Sequence, residues 1–436
     1  MLRLRLIQRF AGRLPFFYGW VILACVCAAG FSRQGPAVAT LSIFVEPMTA
    51  EFGWSRTELS AAVSIGGILG ALVAPLLGPF LDRNGARAVL CFAVLFTGIP
   101  ILFLSFTQSL LVFYLLYCTA RMNFAGPYDL GIYGSIVNWF VRRRPFATSI
   151  STVALMSGLV AMPLIAHVVM QASDWRTAWL AVGATVLVIG FLPTWLLHVR
   201  RPEDIGQRPD GEAASPVAAS TTASESTPAQ SSEPAYTRRQ ALASPAFWLL
   251  SLFTLLIYPV QSGISLHQAP LLIERGLDPT VAAAAVSIFA LFSGIAGFGY
   301  GFWPRRIPLR IALASVGLWF GTSCVLMFGA HDAPTAYAAA ALFGVGVGGL
   351  ITTLPIAWAD YFGRSSFGAI RGVALTVQVS AQAMGPVLSA VLRDATGDYA
   401  YSLITFAALG FAGIAAALFA RPPRPASRRS ATDPRR

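Results

Sequence analysis

Twelve stretches of this chain stay apolar for about 20 residues or more, the length an α-helix needs to cross the hydrocarbon core of a bilayer. They cover residues 18–45, 59–81, 88–106, 109–140, 147–171, 177–197, 247–273, 281–303, 310–329, 334–362, 372–392 and 399–420. Inside lipid no water can satisfy a free backbone, so each stretch has to be helical, and the chain reads as an all-α membrane protein. Composition supports that reading, because 56% of residues are hydrophobic against 11% charged, far from the mix of a soluble domain.

Residues 200–245 break the pattern between the sixth and seventh stretches. Their heart, 211–234, is almost entirely Ala, Ser, Thr, Pro and Glu, which cannot bury a core. The expectation is a disordered linker between two six-helix bundles, 1–199 and 246–420, with a short tail at 421–436. The first, fourth, seventh and tenth stretches are the long ones, so three helices form the repeating unit, as in secondary transporters built from inverted repeats.

All 31 basic residues are Arg, against 19 Asp plus Glu, giving a net charge of +12. A nucleic-acid partner would need a contiguous basic face, whereas these arginines sit in short runs between apolar stretches. They mark topology instead. With the N-terminus inside, 25 arginines fall on the cytoplasmic side, Arg371 among them. Four fall outside (Arg56, Arg176, Arg275, Arg393) and two, Arg33 and Arg121, fall within stretches. Both termini are therefore expected in the cytoplasm. Residues 1–14 alternate Arg with Leu, Ile and Phe, which predicts a short helix on the inner membrane face. The apolar run continues well past Cys25, so this is a retained first helix and not a cleaved leader. The five cysteines, Cys25, Cys27, Cys91, Cys118 and Cys324, lie in apolar stretches without the paired spacing of a zinc or redox site. No metal and no cofactor are expected.

The turn between the second and third stretches reads Gly78-Pro79-Phe80-Leu81-Asp82-Arg83-Asn84-Gly85-Ala86-Arg87. Gly78 and Gly85 permit a tight turn and close helix approach, Asp82 can accept hydrogen bonds from a neighbouring helix N-terminus, and Arg83 and Arg87 suit anionic headgroups. This resembles the signature loop of the major facilitator superfamily, and that resemblance implies a gating role. The second half carries a degenerate copy, with Arg305 in the place of Asp82 and Pro308 in that of Gly85. Further segments are Phe17-Tyr18-Gly19-Trp20, Gly30-Phe31-Ser32-Arg33-Gln34-Gly35-Pro36, Phe44-Val45-Glu46-Pro47-Met48, Asn138-Trp139-Phe140-Val141-Arg142-Arg143-Arg144 and Asp360-Tyr361-Phe362-Gly363-Arg364. They resemble the bacterial monocarboxylate-transporter and oxalate/formate-antiporter branch of that superfamily. The resemblance implies the twelve-helix major facilitator fold in a bacterial cytoplasmic membrane, a monomer, and proton-coupled or exchange movement of small organic anions. It also implies that spans one, four, seven and ten line a central cavity. One feature departs from the branch: its eukaryotic members carry an Asp and Arg pair on the eighth helix, and residues 281–303 hold neither.

An Arg at mid-membrane costs about 2.5 to 3.5 kcal/mol, so one that is present should face a partner or a wet cavity. Arg33 lies about 15 residues, roughly 22 Å, into the first stretch, and Arg121 is comparably deep in the fourth. A guanidinium stays charged and offers a fork to a carboxylate, which makes both candidates for a substrate anion, the alternative being structural ion pairs. Arg121 and Asp129 lie about 80° apart around one helix and about 12 Å along it, which disfavours a pair between them. Proton coupling needs a group that titrates in the passage. The candidates are His267 first, then Asp129 and Glu46, with Glu46 expected at the outer interface; a fixed hydrogen-bonding His267 is the alternative. Tyr128, Tyr258, Gln261 and Gln378 can line the same passage or serve as interhelical glue.

The chain is therefore expected to be a secondary carrier of small monocarboxylate-like anions working by alternating access, and not an enzyme. An exporter of drugs or metabolites is the rival within transport, and a membrane sensor without net flux is the rival outside it.

Overall fold

The computed structural model describes residues 2–211, 234–304 and 306–423, without the side chains of Leu2, Leu4, Arg56 and Thr57. The heart of the linker, most of the tail and Arg305 lie outside the described residues. Every regular element described is helical. A short α1 (Leu2–Ala11) precedes α2 (Gly19–Ser32), α3 (Val38–Phe52), α4 (Arg56–Asn84), α5 (Ala86–Phe103), α6 (Leu110–Ala125), α7 (Pro127–Trp139) and α8 (Arg144–Ala172). Then α9 (Trp175–Thr185) runs through a π-helical turn (Val186–Phe191) into α10 (Leu192–Leu197). After α11 (Arg238–Leu242) come α12 (Pro245–Glu274), α13 (Pro279–Tyr300), α14 (Leu309–Phe328), α15 (Ala333–Phe362), α16 (Phe367–Thr396) and α17 (Ala400–Phe419).

Ten of the described helical segments are long and apolar enough to cross a membrane. The other two spans are present but broken, α2 with α3 forming the first and α6 with α7 the fourth. Gln34-Gly35-Pro36 explains the first break and Gly126-Pro127 the second, because proline donates no backbone hydrogen bond and pushes the preceding residue out of helical geometry. Pro259, Pro270 and Pro355 lie inside helices that continue past them. Length does not single out the expected four spans: α12 and α15 have 30 residues, but α4 and α8 have 29 and α16 has 30.

The two halves meet where α4 packs on α16 and α8 packs on α13 and α15. Small residues make this possible. A Cβ on Gly78 would strike the Gly368 backbone and one on Gly372 the Ala74 carbonyl, so the two main chains run in direct contact. The flanks of the linker are ordered. Asp210 accepts backbone hydrogen bonds from Val141, Arg142 and Arg143 at 3.0, 2.6 and 3.0 Å, and Tyr236 donates its N–H to the Phe362 carbonyl.

Candidate functional site

Both broken spans deliver an arginine to one place. Arg33 ends α2 at the first break, and Arg121 lies on α6 one turn before the second. Their guanidinium carbons lie 4.5 and 4.1 Å from the centroid of a single ring, Phe124. The first break also frees the Pro36 carbonyl, which accepts from Tyr117 Oη at 3.0 Å and from Arg121 Nη1 at 3.4 Å. Gly66 on α4 makes room for the arginine stem, since a Cβ there would stand 2.6 Å from Arg121 Cβ. The π-helical turn accommodates the break from the other side, with Gly190 against Ser32 and Val186 against Gly35.

Neither arginine has an acidic partner among the described residues, and the Nε of each is buried without a hydrogen-bond acceptor. One ring does not compensate two such charges. A desolvated cation over an aromatic face gains about 2 kcal/mol or somewhat more, but one ring is shared here by two arginines that each cost about 2.5 to 3.5 kcal/mol at mid-membrane, and the two cations repel.

Asp129, on the first turn of α7, is taken by a residue that the sequence reading assigned to a loop. Arg371 is part of α16, 1% exposed, and its Nε meets Asp129 Oδ1 at 3.1 Å while Nη2 reaches Oδ2 at 3.4 Å. Arg371 Nη2 also donates to Gln378 Oε1 at 2.9 Å, so Gln378 is part of this pair's shell. Tyr133 and Tyr258 lie within electrostatic reach of Arg33, Asp129 and Arg371 alike.

The remaining expected residues disperse. His267 sits on a seam of α12, α16 and α17: Nε2 donates to the Pro386 carbonyl at 3.3 Å and Nδ1 lies 3.1 Å from Tyr399 Oη. Both ring nitrogens are thus engaged on that seam, away from the arginines. Glu46 is exposed on α3. Tyr128, fully buried in the amino-terminal half, is the exception and stays within electrostatic reach of Arg33, while Gln261 faces Ser265 and Gln382 across the carboxy-terminal half.

The end of the molecule that carries both described chain ends is closed. Asp82 Oδ1 and Oδ2 accept the Gly368 and Ala369 N–H groups at 2.8 and 2.9 Å, capping α16 from across the interface. Arg144 pairs with Asp360, Arg364 donates to the Asn138 carbonyl, and Tyr133 Oη donates to the Ile351 carbonyl. Thr376 Oγ1, further along α16, reaches the Ala71 carbonyl at 3.0 Å. Gly85, at φ 84°, makes the turn after α4, and Arg87 donates to the Trp195 carbonyl, while Arg83 is exposed. In the second copy of the turn Gly301 packs on Ser149 and Pro308 caps α14, with no carboxylate at the place of Asp82.

Phe124, Arg371 and Asp210 were not anticipated. A Phe in an apolar stretch carries no signal, Arg371 precedes the hydrophobic part of α16, and Asp210 lies in low-complexity surroundings.

Two helical halves with small-residue seams, a charged site at helix breaks and a latch at one end define a multi-pass membrane protein with a transporter's architecture. The chain belongs to the Major Facilitator Superfamily, whose family model matches residues 20–272 and 259–436. Monocarboxylate transporter 11 of Homo sapiens is 24% identical over 91% of this chain and 81% of its own length. The membrane sensor protein UhpC of Salmonella typhimurium is 27% identical over 54% of each chain. Among solved structures, a bacterial homologue of the iron transporter ferroportin in its outward-facing state superposes with a TM-score of 0.70 at 16% identity, over 93% of this chain and 99% of that one.

Proposed function

We propose that this protein carries small organic anions of the monocarboxylate type across the membrane by alternating access, with both termini in the cytoplasm. The observation that carries the reading is the pair Arg33 and Arg121 on one Phe124 ring with no acidic partner among the described residues. A carboxylate seated there takes up the guanidinium hydrogen bonds that the protein leaves open. The relatives named monocarboxylate transporters agree in substrate class. In this reading the halves, 1–199 and 246–420, rock about that site on either side of the linker, and the Asp82 latch holds the cytoplasmic end shut.

Asp129 is the proposed proton site. Its pair with Arg371 bridges the halves, so it must separate whenever that end opens. A substrate anion nearby competes for Arg371, and a carboxylate that loses its cation is more easily protonated. Anion and proton then move together without net charge, and the proton-loaded form no longer holds the bridge.

Uptake of labelled lactate or pyruvate into proteoliposomes, challenged with other organic acids and with a protonophore, tests this. Accumulation that follows the inward proton gradient supports it; uptake that neither Arg33→Gln nor Arg121→Gln diminishes ends it. The likeness to UhpC favours one second reading, a sensor that binds the same anion. That reading gives saturable binding to purified protein with no flux.

A further inference from the structure

Beside α1 a cavity of about 440 Å³ opens between α1, the start of α5 and the end of α10, lined in part by Arg3, Asn84, Arg87, Trp195, His198 and Arg200. Its three arginines come from distant parts of the chain, and backbone carbonyls hold each at one edge. Arg3 donates to Leu196 and His198 at 3.2 and 2.7 Å, Arg87 to Trp195 at 2.9 Å, and Arg200 to Asp82 at 3.1 Å. Carbonyls orient a guanidinium without neutralising it. None of the three has an ion pair among the described residues, and the Nε groups of Arg87 and Arg200 are buried without an acceptor. Asp204 reaches the rim, but it is exposed, and its carboxylate accepts from the Arg201 N–H.

His198 adds no charge. Its Nε2 donates to Ser135 Oγ at 2.8 Å, because the Ser135 hydroxyl itself donates to the Gly131 carbonyl. Burial, followed by the nearby Arg87 and Arg3, pushes its pKa down to about 3. The pocket is therefore a convergence of permanent cations. Its surroundings are apolar: Leu6 of α1 is 58% exposed, Trp195 48% and Leu196 49%, while Ile7 and Ala11 anchor α1 to the body. A short helix with that division lies in a membrane interface, and Trp is at home there.

We propose that this cavity binds a phosphate-bearing anion, either the headgroup of an anionic phospholipid or free phosphate, and thereby steadies the latch. The link to the latch is Arg200, which holds the Asp82 carbonyl and packs against Gly85. An anion among three like charges relieves their repulsion and fixes Arg200 where it braces the turn that presents Asp82 to α16. The site is separate from Arg33 and Arg121 and does not depend on what the protein carries.

The test uses the full chain in neutral detergent, given phosphatidylglycerol, phosphatidylcholine or inorganic phosphate in separate arms. Retained lipid is read by native mass spectrometry and stability by the thermal midpoint. Phosphatidylglycerol should be retained in preference to phosphatidylcholine and raise the midpoint. Arg3→Gln should weaken retention about tenfold, a lost charged hydrogen bond, and Arg3→Lys should restore part of it. Asn84→Glu, which leaves every arginine–carbonyl bond in place, should weaken it as well. If inorganic phosphate raises the midpoint and phosphatidylglycerol does not, the anion site stands with free phosphate as its source. Equal retention of both lipids with no response to phosphate, or a phosphatidylglycerol preference unchanged in Arg3→Gln and Asn84→Glu, overturns the proposal.

Discussion

The two halves share an architecture but divide the chemistry unequally. In the amino-terminal half the first and fourth spans break at Gly35-Pro36 and Gly126-Pro127, and those spans carry Arg33 and Arg121. Their counterparts, α12 and α15, run 30 residues without interruption despite Pro259, Pro270 and Pro355, and α12 carries Gln261 and His267, hydrogen-bonded to Gln382 and Tyr399, where the first and fourth spans carry arginines. A break exposes backbone groups at membrane depth, which is tolerated where they line a polar site. The Pro36 carbonyl does so here by holding Arg121 and Tyr117. The two arginines without an acidic partner among the described residues accordingly belong to one half, and the other supplies Arg371, which pairs with Asp129 across the interface.

The latches differ in the same way. Asp82 caps α16 from within the amino-terminal half, whereas the second copy of that turn has no carboxylate. The corresponding backbone at the start of α8 receives Asp210, from the linker flank.

Substitutions can break or sharpen this contrast. The largest effect is expected from Arg33→Gln and Arg121→Gln, each lowering carboxylate uptake in proteoliposomes by about 10- to 100-fold, the worth of a charged hydrogen bond in a dry site. Gln261→Ala and Gln382→Ala in the other half should change uptake less than about threefold, on the scale of neutral interhelical hydrogen bonds. Next comes Asp129→Asn, which leaves Arg371 buried and unpaired at a cost of about 3 to 5 kcal/mol to the closed state. Cysteine accessibility should then show the latched end opening, and uptake should lose its response to a proton gradient. An intact latch in that variant would remove the pair from the mechanism.

Gly66→Val should displace the Arg121 stem and reduce uptake about tenfold, because overpacking costs about 1 to 3 kcal/mol. Gly294→Val on α13, with open space around it, should be silent in the same assay. A smaller effect, on stability, belongs to Asp210→Asn, a weakened cap worth about 1 kcal/mol and read as a lower thermal midpoint in detergent. Asp82→Asn should act more strongly than Asp210→Asn, because its bonds cross between the halves.

Much of this was readable in the chain because lipid is an unforgiving solvent. Arg33 and Arg121 stand out against apolar neighbours and the turn around Asp82 declares its geometry, whereas residues 18–45 and 109–140 read as continuous spans although Gly-Pro steps break both. Arg371 escaped notice because the first turns of α16 pack against α4 and the other half, so they are not required to be apolar. The contacts of His267 were hidden for a related reason: its two hydrogen bonds place it on a helix seam, and only tertiary structure reveals that. Phe124 and Asp210 matter through what they meet in space, and neither lies in a local pattern that announces it.

Equilibrium binding of a labelled monocarboxylate to the purified protein, compared with its neutral amide, separates an anion site at Arg33 and Arg121 from a purely structural pair. The carboxylate is expected to bind at least about 100-fold tighter than the amide, two charged hydrogen bonds' worth, and the difference to vanish in the Arg33→Gln/Arg121→Gln double variant. Equal affinity for acid and amide, or an undiminished preference in the double variant, would contradict the anion site.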